Sequence, residues 1–169
     1  MNASLANQMV RVIYGQVALV GNDGRVLRKI GAPWKKEKQR FRQLNSLPHP
    51  GLLCHRDVFA QFGQFDESFR ISGDYEFLLR ELIDRDAYFV PDLVTVGMRT
   101  GGISGRSNSI RLGYEECRRA QRMHEIRWPS VRWLAGYAIA LARWAVARLV
   151  GEQRVDRWVD MLRAKLRVD

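Results

Sequence analysis

The chain has 169 residues and a net charge of +10, from 28 Lys+Arg against 18 Asp+Glu. A hydrophobic content of 46% supports a real core and argues against wholesale disorder, and the length fits one domain or a core with an appendage. Neither zinc-finger spacing nor an RNP-type aromatic motif is present, so the basic excess is not assigned to nucleic acid; a phosphorylated ligand or an anionic membrane surface is the remaining expectation.

In chain order, Met1 to Val10 is polar and lacks a basic-then-apolar signal pattern. Val10 to Val20 is β-branched and aromatic, which predicts a strand. Asn22-Asp23-Gly24 predicts a turn, and Arg25 to Ile30 a returning strand that breaks at Gly31-Ala32-Pro33. Residues 34–42 are basic with an aromatic at each end and read as a solvated surface helix rather than a phosphate patch. Leu47-Pro48-His49-Pro50-Gly51 is a rigid turn, where a lone histidine is more often structural than catalytic. Leu52-Leu53-Cys54 reads as a short buried strand, and Arg56 to Phe62 as a helix stopped by Gly63.

Ser72 to Arg80 predicts a helix with a small polar residue at its start. Asp74 and Glu76 lie in its first turn, where carboxylates suit the positive end of the helix dipole. Tyr75, Leu78, Leu79 and Leu82 recur at helical spacing and give it an apolar face. From this stretch alone Asp74 reads as a capping aspartate near the mouth of a cleft. Residues 87–90 and 93–98 predict two strands around Pro91-Asp92. Gly101-Gly102-Ile103-Ser104-Gly105 reads as a loop whose amides are able to approach a phosphate, although it fits neither a P-loop nor a dinucleotide fingerprint.

From Asn108 onward the pattern is helical, punctuated by Gly113, Pro129 and Gly151. Residues 131–150 are nearly unbroken apolar, ~30 Å long as a helix, but carry Arg143 inside. Trp133, Trp144 and Trp158 share a face if the helix runs past Gly151. That pattern leaves two readings, peripheral contact with an anionic membrane or a helical hairpin packed on protein. Cys54 and Cys117 lack CxxC spacing and read as reduced thiols, which predicts a cytoplasmic protein.

Four stretches together resemble the acceptor half of family 2 glycosyltransferases, particularly bacterial enzymes that build surface polysaccharides. They are Ile13-Tyr14-Gly15-Gln16-Val17 with its turn, Pro48-His49-Pro50-Gly51 through Phe59, Phe62 to Phe69, and Gly73-Asp74-Tyr75-Glu76-Phe77-Leu78-Leu79-Arg80. The resemblance covers residues 11–105. It implies an α/β fold: a partial GT-A-like mixed sheet with flanking helices in 1–105, followed by a basic helical C-terminal region in 106–169. It implies hexosyl transfer from a nucleotide-sugar to a saccharide or lipid-linked acceptor in polysaccharide biosynthesis, with inversion.

In that family an acidic pair opens the acceptor-side helix and its aspartate serves as general base. This puts Asp74 in the base role, with Gly73 standing where the first acid is usual. His49, Gly51, Tyr75 and Arg80 are the substrate-binding candidates. The family also uses Mg²⁺ or Mn²⁺ at a DxD motif on a donor-binding first half. Here only about a dozen residues precede the Tyr14 strand, and the one Asp-x-Asp, Asp84-Arg85-Asp86, falls after the motif it should precede. It reads as a helix-terminal charge cluster, and no metal ligands are assigned. The expectation is therefore a truncated enzyme with an exposed sheet edge open to self-association, peripheral at the inner face of the plasma membrane. The alternative is a non-catalytic interaction or membrane-docking module of the same descent.

Overall fold

The structure is a computed structural model, and it describes residues 9–21, 23–99 and 107–165. The Gly101–Gly105 loop lies outside the described residues. The protein is mixed α/β, with a small open sheet and six helices among the described residues. The order is β1 (Val12–Val20), β2 (Val26–Ile30), α1 (Trp34–Gln43), β3 (Leu53–Cys54), α2 (Arg56–Phe62), α3 (Gly73–Leu82), β4 (Tyr88–Arg99), α4 (Ser107–Met123), α5 (Val131–Val150) and α6 (Glu152–Lys165).

β1 is the central strand. It pairs antiparallel with β2 at its C-terminal end and with β3 at its N-terminal end, and parallel with β4 along most of its length. A strand has two edges, so β2 and β3 share one and β4 takes the other. The sheet is thus mixed, and Val12, Tyr14, Val17, Ala18 and Leu19 of β1 are buried.

The two strands expected around Pro91-Asp92 are one strand, β4, with an irregularity in the middle. Tyr14 pairs with Phe89, but Gln16 pairs with Val94, so residues 90–93 bulge opposite Gly15. Proline lacks the N–H a ladder needs and is tolerated at such a bulge. Gly15 matches it on the other side, since a Cβ there would stand 2.4 Å from the Leu93 carbonyl oxygen. The expected buried strand at 52–54 is shorter, and Leu53 is 65% exposed because β3 sits at the sheet margin.

The core lies between the sheet and the helices, with α3 at its hub. Tyr75, Phe77, Leu78, Leu79 and Leu82 of α3 meet Val12 and Tyr14 of β1, Phe41 of α1, Val58 of α2, and Cys117 and Ala120 of α4. Trp133 of α5 belongs to the same cluster, so the core draws on residues from both ends of the chain. The basic helix α1 is exposed on one side only. Trp34, Glu37 and Phe41, at helical spacing, are buried, and the Trp34 indole donates to Asp86 Oδ1 at 2.8 Å. Lys38 Nζ reaches the same oxygen at 2.6 Å. A buried ion pair ties β1's N-terminal end to α3, with Arg11 Nε donating to Glu81 Oε1 at 2.8 Å and Arg11 Nη2 to Glu81 Oε2.

Two expectations about the helical region are corrected. Gly113 does not punctuate it; it lies inside α4, where it faces Ile71 and Ser72 at close range. The helix does not run past Gly151, whose φ of 93° ends α5 before α6 begins. Trp158 therefore does not continue the face of Trp133 and Trp144.

Candidate functional site

The start of α3 opens on a cavity of about 310 Å³ between α3, α4 and the end of α1. Its wall includes the polar residues Asn45, Ser72, Asp74 and Ser109, and Leu44, Ile71, Ile110, Tyr114 and Cys117 also line it. Asp74 is half-buried at this wall. Its Oδ1 accepts from the Tyr75 backbone N–H at 2.7 Å and from Asn45 Nδ2 at 3.3 Å. Its Oδ2 takes no hydrogen bond among the described residues. The carboxylate is thus oriented through one oxygen and leaves the other open.

Ser72 precedes the helix but does not cap it through its side chain. Its Oγ donates to the Gly113 carbonyl of α4 at 3.1 Å. The turn before α3 is held instead by Glu116 of α4, a buried carboxylate. It accepts from three successive backbone amides, Arg70 at 2.9 Å and Ile71 and Ser72 at 2.8 Å. Three amides converging on one buried carboxylate make a rigid seat for the first turn of α3. Position 73 has room, since a Cβ there would meet Phe69 Cβ at 3.4 Å, an ordinary contact.

The other candidates from the sequence do not gather around Asp74. Tyr75 is fully buried and points into the core. Its hydroxyl donates to the Phe41 carbonyl at 2.9 Å and accepts from Gln121 Nε2 at 3.2 Å. Burial pushes its hydroxyl well above the usual phenol range. Arg80 grips buried Glu76, with Nη2 to Oε2 at 2.5 Å, and donates through Nη1 to the Phe62 and Gln64 carbonyls at 2.8 Å each. It pins the segment between α2 and α3. Glu76 also meets His124 Nε2 at 3.0 Å, which joins α3 to the end of α4.

His49 and Gly51 form the turn before β3 and do not line this cavity. Gly51, at φ 77°, lies against β4, where a Cβ would come within 2.2 Å of Thr95 Oγ1. The residues that reasoning from the α3 stretch missed are Asn45, Ser109, Tyr114 and Glu116. They come from α1's end and from α4, far from Asp74 in sequence, and no local motif marks them.

Nor do the described residues form the metal site that the resemblance implies. No group of three or more His, Cys, Asp or Glu among them is placed to hold an ion, and Asp86 is occupied by Trp34 and Lys38. No family model, curated protein or solved structure matches the chain.

Proposed function

We propose that this chain is the acceptor-side part of a GT-A-type glycosyltransferase, moving a hexosyl group from a nucleotide-sugar to a saccharide or lipid-linked acceptor. The observation that carries the reading is Asp74, a carboxylate held at Oδ1 and open at Oδ2, on the wall of a cavity with polar and apolar sides. A sugar ring presents the same mixture, hydroxyl edges and apolar faces, and a half-open pocket of this size suits one ring.

In this reading the acceptor hydroxyl hydrogen-bonds to Asp74 Oδ2. Asp74 takes its proton as the hydroxyl oxygen attacks the anomeric carbon, and the bond to the nucleotide diphosphate breaks. Asn45 and the Tyr75 amide keep the carboxylate aimed, and Glu116 holds the turn beneath it. In the family the chain resembles, the donor pocket and its metal lie on the donor-binding half, so no metal step is assigned to the residues described. A second reading, a non-catalytic docking module, is favoured by one observation, the unpartnered apolar face of α5.

Saturation-transfer NMR of this chain with a panel of hexoses and oligosaccharides tests the cavity. Saccharide signals are expected, and Ser109→Trp, which fills the cavity, is expected to abolish them; signals unchanged by that substitution would sink the assignment. Asp74→Asn should retain saccharide binding. In an assembly competent for transfer it should lower turnover by about 10²–10⁴-fold, the usual contribution of a positioned base. Unchanged turnover would remove Asp74 from the base role.

A further inference from the structure

α5 divides into two halves along its length. One half faces α4. Trp133 Nε1 donates to the Tyr114 carbonyl at 3.1 Å, the Tyr137 hydroxyl donates to Glu115 Oε1 at 2.9 Å, and Arg143 Nε donates to Ser107 Oγ at 2.9 Å. Trp133 stacks on Tyr137 with ring centroids 4.8 Å apart, and the Trp144 ring lies under the Arg111 and Arg148 guanidinium groups. The tryptophans of this helix are therefore protein-facing.

The other half is exposed and wholly apolar. It consists of Val131, Leu134, Ile139, Leu141, Val146 and Leu149, with four alanines between them. At about 100° per residue these ten positions fall in an arc of roughly 160°. Arg132 borders that arc on one side and Arg148 on the other. Residues 126–151 hold Arg127, Arg132, Arg143 and Arg148 and no acidic residue. Just ahead of the helix, Trp128 is 83% exposed. Its loop is fastened to α4 by Arg118, which donates to the Ile126 carbonyl at 2.8 Å and to the Arg127 carbonyl.

We propose that this face of α5 docks the protein on an anionic lipid surface, with the helix lying in the plane of the interface rather than crossing it. By length and composition α5 is able to span a bilayer, with a mean hydropathy of 1.3 over its best window. Crossing, however, would strip its bonds to α4 or carry Arg111, Glu115, Arg118 and Arg119 into hydrocarbon. Lying flat keeps those bonds, buries the aliphatic arc, and places the bordering arginines at headgroup level with Trp128 beside them. A second copy of the chain is a poor occupant, because pairing two such faces would oppose arginine borders with no acid between them. None of the residues on this face lines the Asp74 cavity, so the docking stands whether or not transfer occurs there.

The test is flotation of the full chain with phosphatidylcholine vesicles, with and without phosphatidylglycerol. The chain is expected to float with the anionic vesicles, less so as salt rises, and to be released by alkaline carbonate. Ile139→Glu with Val146→Glu should lower binding by about ten-fold or more, because two charges enter the apolar arc. Arg132→Gln should lower it by about five-fold, the worth of one cation at an anionic surface. Circular dichroism checks that the fold is kept. If the double glutamate variant does not fold, Arg132→Gln carries the test by itself, since it removes only an exposed charge. Equal flotation with zwitterionic vesicles, resistance to carbonate, or binding untouched by these substitutions would each overturn the proposal. So would a chain that ignores vesicles and instead forms a dimer, or a complex with an acidic protein, through Ile139 and Val146.

Discussion

The two thiols are held in different surroundings, and their chemistry should separate accordingly. Cys117 is 3% exposed in the core, and burial pushes its thiol up to about 11. Cys54 at the sheet margin is less buried, and burial raises its thiol as well. Iodoacetamide at pH 8 should modify Cys54 first and Cys117 only when the core opens, as read by mass spectrometry with and without urea. For Cys117 the folded pKa lies above that of an unfolded thiol, ~8.5. The neutral form is therefore the native one, and its contribution is complete below that pH and is lost as pH rises toward about 11. Cys117→Ala should flatten the alkaline limb of the stability profile.

Asp86 works in the opposite direction. The hydrogen bonds from Lys38 and Trp34 hold its carboxyl below the usual carboxylate range. Its contribution is present above the unfolded value, ~3.9, and is lost as pH falls through the lower folded one. Asp86→Asn should make thermal stability less sensitive to pH below about 4; an unchanged acid limb would show that this link between α1 and the end of α3 contributes nothing.

At the level of elements, the seam between α4 and α5 gives a test whose sign is informative. Gly136 is inside α5, where replacing glycine by alanine in an exposed helix ordinarily stabilises by roughly 0.8–1.0 kcal/mol. Here a Cβ would stand 2.2 Å from the Tyr114 hydroxyl oxygen and 2.7 Å from its ring. The ring is confined by Trp133 and Tyr137, so it has little freedom to yield. Gly136→Ala should destabilise by about 1–3 kcal/mol, the usual cost of overpacking, in chemical denaturation. A stabilised variant would show that α5 does not pack on α4 in this way.

The pairing of β1 with α3 is equally exposed to test. Arg11 and Glu81 are buried together, so Arg11→Ala removes both hydrogen bonds to a buried carboxylate and leaves it only the more distant, half-exposed Arg85, with Nε 3.8 Å from Glu81 Oε1. A loss of about 3–5 kcal/mol is expected. In a chain of this length that lowers the melting temperature on the order of 10 °C. A near-neutral result would mean that Arg85 takes over the carboxylate.

For the molecule as a whole, two opposing effects decide its state of association. The second edge of β4 pairs with no strand among the described residues, and Tyr88, Leu93, Val94 and Met98 on that strand are exposed. An open edge of this kind invites pairing with another chain. A net charge of +10 resists it through self-repulsion. Repulsion between exposed charges is screened beyond about 10 Å at 0.1 M salt. Association should therefore grow with ionic strength in sedimentation velocity, and Val94→Lys should suppress it. A monomer at every salt concentration would count against an open edge.

The sequence by itself determined most of the elements. Period-2 and period-3.6 patterning, with Gly and Pro as breaks, located β1, β2, α2, α3 and α5, because these signals are local and each residue's backbone preference acts within a few positions. It misjudged Pro91-Asp92, since only the pairing of β4 with Gly15 shows that a bulge and not a break stands there. It also misjudged Gly113, whose place is set by Ile71 and Ser72 rather than by its neighbours in α4.

The candidate site was half legible. Asp74 stands out at the start of an amphipathic helix. Asn45, which aims it, and Glu116, which seats its turn, are 29 and 42 residues away in sequence. The same holds for α5, where composition shows an apolar helix with arginines but not which side meets protein. Only tertiary packing decided that, by turning Trp133 and Trp144 inward onto α4 and leaving the aliphatic arc outward. Local propensity fixes how a segment winds; what each face of it touches depends on surfaces contributed from elsewhere in the chain.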